Sequence, residues 1–154
     1  AVFHVRISFM EILSKSVDDT RKFAQDFLAK LSEKANEHAT VVGLYGNLGS
    51  GKTTFTQCVA ELLGVKEHLT SPTFVIMKRF KIKDYRFKDL IHIDAYSLKS
   101  GEELRKLGFE ELLRDPKNLI LIEWADIVAD ILPADHIKIN FEFVDDSTRK
   151  ISFI

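Results

Sequence analysis

Glycines at 46, 49 and 51 stand directly before Lys52 and Thr53, in the pattern Gly46-x-x-x-x-Gly51-Lys52-Thr53. A polyphosphate needs several backbone N–H groups pointing at it together, and glycines let a chain curl closely enough to supply them. The apolar run Thr40 to Tyr45 precedes the loop, and Phe55, Val59 and Leu62 follow it at helical spacing. Strand, glycine loop and helix in that order form a phosphate-binding loop whose helix adds its positive dipole end. The candidate nucleotide-binding residues are therefore Gly46, Asn47, Leu48, Gly49, Ser50, Gly51, Lys52, Thr53 and Thr54. Lys52 can reach the β and γ phosphates as a point charge, and the Thr53 hydroxyl suits a magnesium ligand.

Two acids belong to the same chemistry. Leu90 to Ile93 and Leu119 to Ile122 read as apolar strands, each ending in a carboxylate, Asp94 and Glu123. In open α/β sheets ligands bind at the carboxyl ends of the strands, so both acids should face the crevice of the phosphate loop. There they form a candidate constellation for a metal ion and an attacking water. Thr73, in Ser71-Pro72-Thr73-Phe74, is either an ordinary strand residue or a sensor arriving beside the γ-phosphate.

The elements that must position these groups fit one domain spanning 1–154. A net charge of −1 gives no reason to expect whole-surface attraction to nucleic acid or membrane. No apolar run approaches the roughly 20 residues of a membrane span, and the first residues lack a signal-peptide pattern, which favours a cytoplasmic protein without membrane contact. The single cysteine, Cys58, reads as a small core residue of the loop helix.

In chain order, alternation predicts a strand over Phe3 to Phe9, and helical spacing predicts a helix from Ser16 to about Asn36, with Ser16 or Asp18 as its N-cap. Val75 to Phe80 and Tyr85 to Ile93 form a hairpin carrying Lys78, Arg79, Lys81, Lys83, Arg86 and Lys88. That ribbon is either a solvated edge whose lysines block pairing or a contact for RNA or an acidic partner. A helix from Ser100 is broken at Gly108 and resumes over Phe109 to Leu113, and a short helix is expected over Ile127 to Leu132. His136 to Phe143 alternates as a strand with Ile137, Ile139, Phe141 and Phe143 inward, and Arg149 to Ile154 closes an antiparallel edge. The fold class implied is α/β: a P-loop NTPase-like three-layer fold with a mixed, mostly parallel central sheet flanked by helices, a β-hairpin and an antiparallel edge.

The phosphate loop at 46–54, Ser-Pro-Thr-Phe at 71–74, His-Ile-Asp-Ala-Tyr at 92–96, the Glu-Glu-Leu to Leu-Gly-Phe segment at 102–109 and Ile-Glu-Trp at 122–124 together resemble the TsaE (YjeE) family over nearly the whole chain. The resemblance implies a small ATPase of bacterial tRNA threonylcarbamoyladenosine synthesis, acting with the TsaD and TsaB proteins and meeting tRNA only through that complex. Three positions depart from the family's frequent residues. Asn47 stands for Asp, Ser97 for Arg, which removes a cation, and Ala125 for Pro.

The mechanism this implies uses Lys52 and the loop backbone to hold the phosphates of ATP or ADP, with Thr53 on Mg2+ and Glu123 on the same ion directly or through water. Asp94 would orient or deprotonate the attacking water and Thr73 would register the γ-phosphate, although Asp94 and Glu123 could exchange roles. Trp124 would form a wall of the site. By the same resemblance adenine should lie between the start of the Ser16–Thr20 helix and the Asp145–Arg149 turn. Nothing resembles the Asn-Lys-x-Asp guanine signature, so ATP is favoured over GTP. A small-molecule kinase and a nucleotide-gated binding module without significant hydrolysis are the alternatives.

Overall fold

The structure is a computed structural model describing residues 11–31, 37–47, 49–67, 76–83 and 86–154. The strand expected over 3–9, residues 32–36 at the expected end of the first helix, Leu48, the segment containing Thr73 and residues 84–85 of the expected hairpin lie outside the described residues.

The elements run β1 (Glu11–Ser14), α1 (Val17–Leu31), β2 (Thr40–Gly46), α2 (Lys52–Leu62), β3 (Met77–Lys81), β4 (Asp89–Asp94), α3 (Gly101–Lys106), α4 (Phe109–Leu113), β5 (Asn118–Glu123), a 3₁₀ segment Ala125–Ile131, β6 (Ile137–Asp145) and β7 (Thr148–Phe153). The strands form one sheet in the order β1-β7-β6-β2-β5-β4-β3. β6, β2, β5 and β4 are mutually parallel, and antiparallel pairings add β7 and β1 at one side and β3 at the other. The strand carrying the phosphate loop is thus the middle strand of the seven formed by the described residues.

Period-two alternation sorts the central strands onto two cores. Val42, Leu44, Leu90, Leu119 and Leu121 face α1 and α2, where Phe23, Phe27, Phe55 and Val59 meet them. Val41, Ile91, Ile93, Ile120 and Ile122 face Leu104 of α3, Phe109 of α4 and Val128 of the 3₁₀ segment. Helices therefore cover both faces, which is the three-layer arrangement expected. Asp94 continues the Leu90 face and Glu123 the Leu119–Leu121 face, so alternation turns both acids toward the layer that holds α2.

Local chemistry explains the first helix. Ser16 caps it, accepting from the Asp19 N–H at 3.2 Å, while the Asp19 carboxylate accepts from the Lys15 N–H at 2.9 Å. Gly108, at φ 92°, separates α3 from α4 where a break is expected. Cys58 is buried in the first core, and burial pushes its thiol up from the usual range.

Three expectations need correction. The closing strand is not the sheet edge, because β1, unforeseen in the sequence, pairs outside β7 with Ile12 opposite Ile151. Phe143 is 53% exposed although it keeps the regular register opposite Arg149; it lies at the last regular pair before the register shift, with the Arg149 guanidinium over its ring. The turn expected as a helix over Ile127 to Leu132 is a 3₁₀ segment beginning at Ala125.

The hairpin's basic residues are largely engaged. Arg79 and Lys81 reach Asp89 at 3.3 and 3.0 Å, Lys78 lies 3.9 Å from Glu67, and Arg86 donates to the Leu31 carbonyl and to Thr40. Those contacts fit an edge ribbon tied to its own sheet.

Candidate functional site

β2 ends at Gly46, which sits against β6 so closely that a Cβ there would come within 2.3 Å of the Phe141 carbonyl oxygen. Only glycine permits that approach. The chain then turns back through Gly51, whose left-handed backbone (φ 105°) starts α2 with no side chain capping it. An uncapped helix start leaves backbone N–H groups directed at whatever occupies the loop. Beside them the Ser50 hydroxyl is fully buried without a hydrogen-bond partner.

Parallel pairing brings the strand ends together. Leu44 of β2 is the register partner of Glu123, and Glu123 is that of Asp94. The carboxyl ends of β2, β5 and β4 therefore line up, with the loop at one and a carboxylate at each of the others.

The two acids differ in surroundings. Glu123 is buried, and its Oε1 accepts from the Thr53 hydroxyl at 2.8 Å while its Oε2 lies 2.6 Å from His92 Nε2. Asp94 is half-buried, and its Oδ1 accepts from the Tyr96 N–H at 3.0 Å. One acid is buried against the loop threonine; the other is half-buried and held by the turn after β4.

Lys52 is buried rather than extended into solvent. Its ammonium donates to the Gly46 carbonyl and, at 3.4 Å, to that of Asn47, and lies 3.6 Å from the centroid of the Trp124 ring. Burial pulls its pKa below the usual lysine value, against the opposing pull of Glu123, Asp126 and Asp94. Trp124 holds a left-handed backbone (φ 57°), unusual for an aromatic residue, and its ring also meets Tyr96 at 5.2 Å.

These groups open onto a cleft of about 460 Å3. The loop residues 49–54, Asp94, Glu123 and Trp124 line one part of it, and Ser16, Val17 and Thr20 of the α1 start face Asp146, Ser147 and Arg149 across another. Every described candidate residue except Gly46 and Asn47 lines this cleft, and those two carry the carbonyls that hold Lys52. Leu48 and Thr73 are not among the described residues.

Two contributors were not foreseen. Arg149 donates from Nε to the Gly49 carbonyl at 2.8 Å and from its guanidinium to the Asp145 carbonyl at 2.6 Å, tying the loop to the β6–β7 turn. The Asp145 carboxyl is held below its ordinary range, chiefly by the Ser147 N–H. His92 is the second. It opens the His-Ile-Asp-Ala-Tyr segment at 92–96 and stands two residues before Asp94 on the same strand face, but neither signal names Glu123 as its partner.

The cleft's donor set is chemically suited to magnesium. Thr53 and Glu123 present oxygen atoms side by side, and magnesium takes one or two carboxylates together with phosphate and water oxygens. Among the described residues no group of three or more His, Cys, Asp or Glu could hold a metal by itself, and magnesium needs none. No described helix is long and apolar enough to cross a membrane.

Comparison with known proteins agrees with this architecture. The family model for threonylcarbamoyl adenosine biosynthesis protein TsaE matches residues 14–151. The chain is 35% identical over 144 residues to the Rickettsia felis tRNA threonylcarbamoyladenosine biosynthesis protein TsaE, covering 93% of this chain and 78% of that one. The protein of the same name from Bacillus subtilis is 34% identical over 126 residues (82% and 76% covered), and that from Haemophilus influenzae 32% over 148 (94% and 90%). The crystal structure of Bacillus subtilis YdiB superimposes with a TM-score of 0.68 at 28% identity, covering 95% of this chain and 84% of that one. With its motifs in order on a shared fold, and the match running from β1 to β7, the chain belongs to the TsaE family of threonylcarbamoyl adenosine biosynthesis proteins.

Proposed function

We propose that this chain binds ATP with magnesium and hydrolyses it as the ATPase component of tRNA threonylcarbamoyladenosine synthesis, acting with TsaD and TsaB. The observation that carries the reading is the Thr53–Glu123 hydrogen bond at the start of the uncapped helix α2. It joins a loop hydroxyl and a strand-end carboxylate at the place where a nucleotide's β and γ phosphates would lie.

Each residue's part follows from its position. The backbone N–H groups at the start of α2 hold the phosphates, and Lys52 exchanges its loop carbonyls for phosphate oxygens. Thr53 and Glu123 hold the metal, which when bound neutralises charge on the transferring phosphoryl group. Asp94, half-buried in the cleft's lining, orients the attacking water and takes its proton. The nucleoside lies between the α1 start and the turn before Arg149.

Calorimetric titration with ATP and magnesium, followed by hydrolysis assays with and without the TsaD–TsaB pair, tests the proposal. Binding is expected to need magnesium, and hydrolysis to rise when the pair is added. Absence of ATP binding would overturn the reading, and binding without stimulated hydrolysis would reduce the chain to a nucleotide-gated module.

A further inference from the structure

We propose that His92 is a positioning residue, which fixes the Glu123 carboxylate so that its other oxygen is aimed at Thr53 and the metal. The inference rests on the proposed magnesium role of Glu123 and goes beyond it by naming what sets that carboxylate's orientation.

His92 lies on β4 opposite Leu121, so its imidazole reaches diagonally along the neighbouring strand to Glu123, two residues further on. Such diagonal neighbours are within reach of long side chains. His92 and Glu123 are 1% and 3% exposed, and Nε2 stands 2.6 Å from Oε2. A histidine serving only as core filling would need no carboxylate at that distance, and Leu90, one step back on the same face, fills core without any polar atom.

Both Glu123 oxygens are engaged, Oε1 by Thr53 and Oε2 by His92. With one partner on each oxygen, the carboxylate cannot rotate without breaking a hydrogen bond. Removing the imidazole leaves Oε2 buried without a donor, and a buried unsatisfied carboxylate oxygen is costly enough to turn toward any remaining donor. Oε1 would then lose its aim. His92 does not itself line the cleft, so its effect on a ligand must pass through Glu123. Groups that orient a metal-binding carboxylate from behind are worth roughly 10–100-fold in metal affinity.

The test is ADP affinity measured by calorimetry across a magnesium series, for the full chain, alongside thermal unfolding without nucleotide. His92→Leu should raise the half-saturating magnesium concentration roughly tenfold or more, with ADP affinity in the absence of magnesium unchanged. His92→Gln, whose amide N–H can stand where Nε2–H stood, should restore magnesium dependence to within about threefold of the unmodified protein. In a Glu123→Ala background, His92→Leu should add nothing, because the residue it acts through is gone. An unmodified magnesium series in folded His92→Leu overturns the inference alone, as does a Gln variant no better than Leu. An unmodified protein whose ADP affinity ignores magnesium overturns the metal reading of Glu123 and this inference with it. Should His92→Leu fail to fold, His92→Phe, which keeps a ring in the core without an N–H for Glu123, takes its place: a raised magnesium requirement supports the inference and an unchanged one overturns it.

Discussion

Asp94 and Glu123 are register partners on adjacent parallel strands, yet only Glu123 is hydrogen-bonded to Thr53. The cause is strand order. β5 lies next to β2, the strand that delivers the loop, whereas β4 is one strand further out. Neighbouring strands in a sheet are about 4.8 Å apart, so Asp94 is set back from Thr53 by about that distance. Two acids that look equivalent in the sequence thereby have different surroundings, and in the proposed function they take different work, Glu123 on the metal and Asp94 on the water.

Thr53→Ala and Glu123→Ala should each raise the magnesium needed for half-saturation of nucleotide binding by roughly tenfold or more, since each removes one of two adjacent oxygen donors. Magnesium titrations unchanged in both variants would show that the ion lies elsewhere.

Lys52→Ala should weaken ATP binding by roughly 30-fold or more, the loss expected when one partner of a close charged pair is truncated. The fold should not suffer. Burial lowers the Lys52 pKa, so its charged form is disfavoured in the folded protein. Below both the folded and unfolded pKa values that penalty is fully present, and the substitution removes it. Nucleotide-free Lys52→Ala should therefore unfold at or above the temperature of the unmodified protein, as followed by circular dichroism.

Much of the site was legible because it is local. The loop, the strand before it and the helix after it lie within Thr40 to Leu62, and Asp94 and Glu123 each end an apolar run that is visible without knowing its neighbours. What depends on strand order was not legible. The exchange of roles between Asp94 and Glu123 could not be decided from spacing, because spacing does not say which strand lies beside β2. The Arg149 contact with Gly49 joins residues 100 positions apart, and no periodicity records it. β1 escaped notice because its four residues are too short to show alternation. The loop pattern does not show that Lys52 is buried, because the Trp124 ring that lies over it comes from just beyond the end of β5, far along the chain.

Phe55 connects the loop helix to the core that holds it still. Its ring is fully buried and meets Phe23, Phe27 and Phe141 at centroid distances of 5.9, 5.7 and 5.6 Å. Phe55→Ala should cost about 3–5 kcal/mol through lost burial and the cavity left behind. For a domain of this size that corresponds to a fall in Tm of roughly 6–20 °C. A loss below about 1 kcal/mol would mean that α2 repacks freely, and that the loop is not braced by this cluster.

Asp94→Asn separates binding from chemistry. The substitution keeps the side-chain shape and an oxygen able to accept from the Tyr96 N–H, so the local turn should survive. It removes the charge that would orient and deprotonate water. ATP affinity should stay within about threefold of the unmodified protein, since the proposed site holds the phosphates by the loop and not by β4. Hydrolysis should fall by roughly 10²–10⁴-fold, the usual loss on removing a general acid–base group. With TsaD and TsaB present, the variant should still assemble with ATP bound but fail to support repeated cycles of tRNA modification if hydrolysis resets the complex. Unchanged hydrolysis would remove Asp94 from the chemistry. Loss of ATP affinity in step with hydrolysis would instead place Asp94 in the shell that holds the nucleotide and metal, and Glu123 would become the candidate for the water.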